Sequence, residues 1–491
     1  MGSVGTIIQI ECQASNGLPS IVIVGLGNKA VDEAKERVRS AFASTGIEMP
    51  RKRITINLAP ADLPKDSTSL DLPIAASIMT VNGQLPSQLS KDCAMIGEIG
   101  LNGDVRAVRG IIGILLAGER LGIRKYVIPA DNVKQAMLIP NIEIFPISNI
   151  CELRTRPLVP LQAASQPFAT SNPVAKVCLS DIAGQTQAKR ALEVAAAGGH
   201  NILLSGPPGT GKSMLAKAMA GILPPLTHRE MLEVTHLHSL ASNNYDELVT
   251  DRPFRAPHHS SSHVSIVGGG AKTRPGEITL SHKGVLFLDE MPEFNRATLE
   301  AMRQPLEDGL ITISRIRQTI EYPADFILIA TANPCPCGFL GSSKPCECPT
   351  GQIVRYKQRL SGPILDRIDL HVTVDNVQHN TLLGSKVQGN DTAAVRKRVA
   401  RARAVQAKRF SSSEKINANM DNPEIKAFAK LADQSRDLLN QAAAKLNLSA
   451  RSYMKVVKVS RTIADLEEST YIRPEHISEA LQYRTTRLQQ W

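Results

Sequence analysis

Two periodicities divide the first third of this chain. Ser20–Val24, Arg53–Leu58 and Tyr126–Pro129 are short runs rich in strand-forming residues, whereas Lys29–Ser44, Leu70–Met79 and Ile111–Leu121 repeat their apolar positions every three to four residues, as helices with one buried face do. The mixture predicts an α/β or α+β domain. Further along, Asn201–Ser205, Val285–Leu288 and Phe326–Asn333 are apolar without clean alternation, which is how a strand buried on both faces of a parallel sheet reads. A helical stretch, Met214–Leu223, follows the first of them, so a second α/β domain is expected from about Ser180 to Val374. Beyond about Thr381 the pattern is helical to the end. Between the domains Pro157, Pro160, Pro167 and Pro173 stand among Gln, Ala and Ser, a composition that buries little and stays extended. The expected division is residues 1–153, a Pro-rich linker 154–178, a core 179–378 and a helical region 379–491.

Composition narrows the class. A chain of 491 residues is too long for one hydrophobic core, and 42% hydrophobic residues describe a globular protein. Met1–Gly17 lacks a basic segment followed by an apolar core, and no stretch approaches the roughly 18 apolar residues of a membrane span, so a cytoplasmic location is expected. Of eight cysteines, four crowd into Cys335–Cys348, which fits a reducing compartment with one metal candidate better than a disulfide framework. The 57 basic against 46 acidic residues leave a formal charge of +11 that would attract a polyanion, although charge alone does not separate nucleic-acid binding from ordinary solubility.

The chemistry starts at Gly206, Pro207, Pro208, Gly209, Thr210, Gly211, Lys212 and Ser213, between the strand Asn201–Ser205 and the helix Met214–Leu223. Glycines here let the backbone curl with its N–H groups facing phosphate oxygens, Lys212 reaches the β and γ phosphates, and Ser213 offers a hydroxyl to Mg²⁺. The octapeptide in this setting predicts a site for ATP. Asp289 and Glu290 end the apolar run Val285–Leu288; Asp289 is expected to hold Mg²⁺ through water and Glu290 to activate the attacking water. Asn333 either positions that water or forms a turn before Pro334. Cys335, Cys337, Cys346 and Cys348 are enough for one closed tetrahedral Zn²⁺ site, the alternative being free thiols in a loop packed by Pro and Gly. Arg396, Lys397, Arg398, Arg401, Arg403, Lys408 and Arg409 crowd a predicted helix whose Val395, Val399 and Ala402 would face a core, leaving a basic face that either meets DNA phosphate or is simply solvated.

These elements resemble an AAA+ ATPase. In that likeness Asn333 stands at the sensor-1 position, Arg367 within Leu365–Asp369 at the arginine-finger position, and Arg451 within Leu448–Arg451 at the sensor-2 position of a helical lid. A finger supplied by a neighbour implies a ring. Arg252–His259, Gly268–Gly270, Arg274–Ile278 and Leu306–Gly309 are similar to the magnesium-chelatase-like branch, which implies an insert over Asn243–Gly270 and a hairpin over Ile311–Tyr322, with Arg315 and Arg317 proposed to grip phosphates in a pore. Gly17–Leu26, Ala30–Arg39 and Ile56–Asp62 resemble the start of the YifB/ComM family, in which a Lon-protease-like domain of ribosomal-protein-S5-like fold precedes the ATPase.

The resemblance implies an α/β fold with a P-loop AAA+ core and helical lid. It also implies ATP and Mg²⁺ as cofactors, a hexameric homo-oligomer, and movement along single-stranded or branched DNA that drives branch migration in homologous recombination and natural transformation. A chelatase-like ATPase that remodels a protein partner stays open. A Lon-like protease is disfavoured: Ser69 occupies the nucleophile's position, but Ile112 stands where the likeness requires a lysine, and a serine without a base is a poor nucleophile.

Overall fold

The computed structural model describes residues 6–490 except 26–28, 63–64, 66, 86–92, 156–157, 163–176, 243–247, 271–273, 316–317, 343, 361 and 378–391. The chain divides into two compact units, one from Gly2–Ala169 with His228–Val249, the other from Thr170–Thr227 with Thr250–Trp491.

In the first unit the expected elements form within one or two residues of their predicted ends: helices Lys29–Thr45, Asp71–Val81 and Ile111–Arg120, and strands Ser20–Val24, Arg53–Ala59 and Lys125–Pro129. Arg53–Ala59 is the centre of a three-stranded sheet, antiparallel to Gln9–Ser15 and parallel to Ser20–Val24. Alternate residues of that central strand, Ile54, Ile56 and Leu58, are buried with Phe42, Leu72 and Ile78, so a period of two supplies one face of the core. A second sheet runs Cys93–Met95, Lys125–Pro129, Glu143–Ile147 and Leu161–Gln162. The last pair lies in the stretch expected as linker and adds an antiparallel edge to Glu143–Ile147. Asp71, 1% exposed, is held bidentately by Arg37 at 2.6 and 2.9 Å.

The helix His228–Ala241 also belongs to this unit, although the chain on either side of its segment belongs to the other. It lies against Ile111–Arg120, where Gly113 leaves room for His236: a Cβ on Gly113 would meet the imidazole Cε1 at 2.4 Å. Burial pushes His236 down to about 4, so the ring is neutral at physiological pH.

The second unit is built on five parallel strands in the order Phe254–Arg255, Val285–Leu288, Ile327–Ala332, Ile202–Ser205 and Leu370–Thr373. Val285–Leu288, Ile327–Ala332 and Ile202–Ser205 are buried at every position, which is why their sequences do not alternate. Thr186–Gly198 and Lys212–Ile222 share the core with this sheet and with the C-terminal helices Thr392–Phe410, Asp433–Lys445, Ala450–Leu466 and Pro474–Gln490. Two ribbons stand apart in the pairing. Gly268–Gly269 pairs with Arg274–Pro275, and Leu310–Arg315 with Gln318–Pro323. Among the described residues no helix is long and apolar enough to cross a membrane.

Candidate nucleotide site

Parallel register decides where the chemistry gathers. Ser205 is level with Ala332 and Thr373, so the loop Gly206–Ser213 leaves its strand beside the carboxyl end of Ile327–Ala332. Ligands of open α/β sheets bind at these ends. Gly206 runs so close to the next strand that a Cβ there would meet the Val374 carbonyl oxygen at 2.2 Å. Thr210 Oγ1 donates to the Pro207 carbonyl at 3.0 Å and fixes the curl. At Gly209 and Gly211, by contrast, an added Cβ would meet no atom within 4 Å, so the crest of the loop is open to a ligand.

The polar side chains predicted for the site converge there. Lys212 Nζ donates to the carbonyls of Gly206 and Pro207, both at 2.7 Å, and to Asn333 Oδ1 at 3.2 Å. Burial lowers the Lys212 pKa while Asp289 and Glu290 pull it back, and the three acceptors form an oxygen cage suited to a cation that binds phosphate. Ser213 Oγ donates to Asp289 Oδ2 at 3.1 Å, which pairs the hydroxyl and carboxylate expected to hold Mg²⁺. Asn333 Nδ2 lies 3.4 Å from Glu290 Oε1. Glu290 has φ +52, a left-handed backbone uncommon for a residue other than glycine.

Thr331 was not singled out in the sequence, yet it joins these groups. Its hydroxyl donates to Asp289 Oδ1 at 2.6 Å and accepts from the Glu290 amide at 2.8 Å, holding both acids. The signal was present: Thr331 lies two residues before Asn333, at the carboxyl end of the same apolar run. Gln185 was also missed. Its Nε2 reaches the carbonyls of Asp375 at 2.6 Å and Thr210 at 3.4 Å, tying the phosphate loop to the chain after the last strand.

Arg367 lies at the other end of the sheet. Its carbonyl accepts from Asn201 Nδ2 at 3.3 Å, and its guanidinium donates to the Pro363 carbonyl at 2.8 Å and to Glu307. From Asn201 to Gly206 an extended strand spans about 16 Å, so Arg367 is far from its own phosphate loop. Arg451 shares Glu307 with it. A buried polar cluster ties the same end of the sheet to the helix Ala450–Leu466, which carries Arg451 in its first turn. His200 Nδ1 lies 3.1 Å from Asp369 Oδ2, His200 Nε2 2.8 Å from Thr462 Oγ1, and Lys455 Nζ 2.6 Å from Asp369 Oδ1.

The four cysteines meet. Cys335 Sγ is 3.3 Å from Cys337 Sγ and 3.6 Å from Cys346 Sγ, and all four sulfurs lie within 4.8 Å of one another. Zinc–sulfur bonds of about 2.3 Å require tetrahedral edges of about 3.8 Å, so the donor set fits Zn²⁺. The amides of Leu340 and Cys337 donate to Cys335 Sγ and Cys348 Sγ, each at 3.4 Å, as they would to thiolates. This loop also touches the nucleotide site: a Cβ on Gly338 would meet Pro208 Cδ at 2.6 Å.

The basic helix resolves differently from its DNA reading. Val395, Val399 and Ala402 are buried as expected. Several cations beside them pack inside the unit: Arg396 donates to the Gly221 carbonyl, Arg398 to Glu193, Arg403 to the Ala196 carbonyl and Arg409 to Asp465. Those arginines cement helices to one another and are not a free phosphate-binding face. Arg315 ends a hairpin strand, and Arg317 lies outside the described residues, as do residues 243–247 of the expected insert. In the first unit the Ser69 hydroxyl lies 2.6 Å from that of Ser67, and Ile112 is fully buried, so no basic side chain from that helix position reaches the serine.

The family described as magnesium chelatase, subunit ChlI, matches residues 178–382; a second model, subunit ChlI of Mg-chelatase, matches 10–132, and a third, the ChlI C-terminal part, matches 389–484. Competence protein ComM of Haemophilus influenzae is 42% identical over 491 residues, 99% of this chain and 96% of that protein. YifB of Escherichia coli is 43% identical over 481 residues, 97% and 94% of the two chains. A Lon protease of Rhizobium meliloti is 32% identical over 183 residues, 34% of this chain and 22% of that protein.

Proposed function

Because this chain belongs to the magnesium-chelatase-like AAA+ ATPases together with ComM and YifB, we propose that it is a cytoplasmic, ring-forming, ATP-driven DNA motor that promotes branch migration of recombination intermediates. One observation carries the ring. Lys212, Ser213, Asp289, Glu290 and Asn333 converge at one end of the sheet, whereas Arg367 sits at the opposite end, so a finger-assisted site needs a second copy of the chain.

In this reading the loop amides and Lys212 bind the triphosphate, and Glu290, held by Asn333 and Thr331, accepts a proton from the attacking water. Mg²⁺, held by Ser213 and Asp289, would supply positive charge to the phosphates. Arg367 of a neighbouring copy stabilises charge as the terminal bond breaks. Structural Zn²⁺ held by Cys335, Cys337, Cys346 and Cys348 would brace the loop that packs on Pro208. One zinc per chain is expected by metal analysis and none in Cys346→Ser; equal zinc in both rejects the site.

DNA as the track is supported by the likeness to a competence protein, the charge of +11 and the hairpin Leu310–Pro323. The deciding experiment is ATP-dependent strand displacement on labelled forked or three-stranded DNA, with Lys212→Ala as the inactive control. Hydrolysis without displacement, and indifferent to DNA, would reject the DNA motor and favour remodelling of a protein partner.

A further inference from the structure

Outside the converging groups of the nucleotide site, one carboxylate gathers two cations. Glu307 accepts from the guanidiniums of both Arg367 and Arg451. Partial desolvation pushes its carboxyl up, but the two guanidiniums outweigh this and hold it below its ordinary value. Glu307 lies on the helix Arg303–Asp308, which Gly309 turns directly into the hairpin. Gln304 of the same helix is bonded twice to that hairpin: its Nε2 donates to Thr312 Oγ1 at 3.0 Å, and its Oε1 accepts from the Thr312 amide at 3.3 Å. The Ala324 amide closes the hairpin's base on the Gly309 carbonyl at 2.7 Å. A shift of this helix therefore carries the hairpin with it.

We propose that Glu307 is a positioning residue that holds Arg367 and Arg451 as a pair and passes their displacement by a neighbour's triphosphate to the hairpin Leu310–Pro323. This rests on the reading of Arg367 as a finger. Glu307 and Arg451 are each 44% exposed, so water weakens the hold of this carboxylate, Arg367 being the more buried partner at 13%; a triphosphate offers more negative charge and bidentate acceptors, so both arginines leave Glu307 when a charged nucleotide arrives next door. The helix then loses its tether on that side. Because one carboxylate serves both cations, they respond together, and the hairpin reads the neighbour's nucleotide state rather than its own.

Hydrogen exchange tests this in the full-length protein, using a Glu290→Gln background that binds ATP without turning it over. Adding ATP is expected to change exchange in 310–323 at least fivefold and to protect 206–222. With Glu307→Gln added, the hairpin response is expected to vanish while protection of 206–222 remains. Gln304→Ala, which leaves the arginine pair intact, should more than halve the same response. A hairpin response that survives both substitutions, or is missing before either is made, overturns the proposal. DNA takes no part in the assay, so a failure of the DNA reading and a failure of this coupling are told apart.

Discussion

The loop Gly206–Ser213 and the turn around Ser69 each carry the residue that a known chemistry would need, but the side chains gathered around the two differ. Around Lys212 the parallel strands deliver a hydroxyl, two carboxylates and an amide within hydrogen-bonding reach of one another. Around Ser69 the nearest hydroxyl is another serine's, and the position where a base would stand is a fully buried isoleucine. A reactive side chain is made by its neighbours, and the position from which the likeness would bring a base to Ser69 holds an apolar side chain.

The contrast breaks most sharply at the nucleotide. Lys212→Ala and Glu290→Gln are expected to reduce ATP turnover below detection, with Glu290→Gln still binding fluorescent ATP; normal hydrolysis by either would overturn the site. Arg367→Ala is expected to lose about 10³-fold in turnover, the scale of an arginine finger. Mixing it with Lys212→Ala should recover activity, because each intact loop can then meet an intact arginine from the other variant; no recovery in mixed rings would argue against sharing.

Acid probes the first unit instead. His236 has its pKa held at about 4 by burial, below the roughly 6.5 of an unfolded chain. The unfolded state therefore takes up the proton first as pH falls. Stability from this residue is fully present above about 6.5 and declines by about 3 kcal/mol as pH falls to about 4. Hydrogen exchange of Ile111–Arg120 between pH 7 and 4.5 measures the loss, and His236→Leu should flatten it. An unchanged slope would mean that another group sets it. The smallest effect is expected from Ser69→Ala: ATP turnover within about twofold of the parent, and no casein cleavage before or after. Casein cleavage that disappears with Ser69 would restore the protease reading.

Most of the nucleotide site was legible because its residues sit in local order. Glycines, lysine and serine fall within one octapeptide, and the acids follow an apolar run, so strand ends and loop chemistry could be read together. Element positions in the first unit were legible for the same reason, since periods of two and of three to four residues mark strands and helices directly. What escaped depends on partners distant in the chain. Glu307 stands in a charged, exposed segment with no local sign of Arg367 or Arg451, and His200 reads as an ordinary residue until Asp369 and Thr462 arrive from other segments. The basic helix left two readings open, a phosphate-binding face or a solvated one; Lys397, Arg401 and Lys408 are exposed, while four of its arginines meet carbonyls and carboxylates from elsewhere in the same unit. Charge counted along a sequence does not say whether its counter-charges lie inside.

The helix His228–Ala241 is claimed by a unit to which its flanking chain does not belong. Cutting the polypeptide near residue 170 would consequently not release a self-sufficient front half: the fragment would lack the segment that covers Gly113, while the remainder would carry an orphaned helix with no seat. A front half able to fold by itself would therefore have to carry residues 228–249 grafted back on, because part of its packing is supplied by chain that follows the phosphate loop.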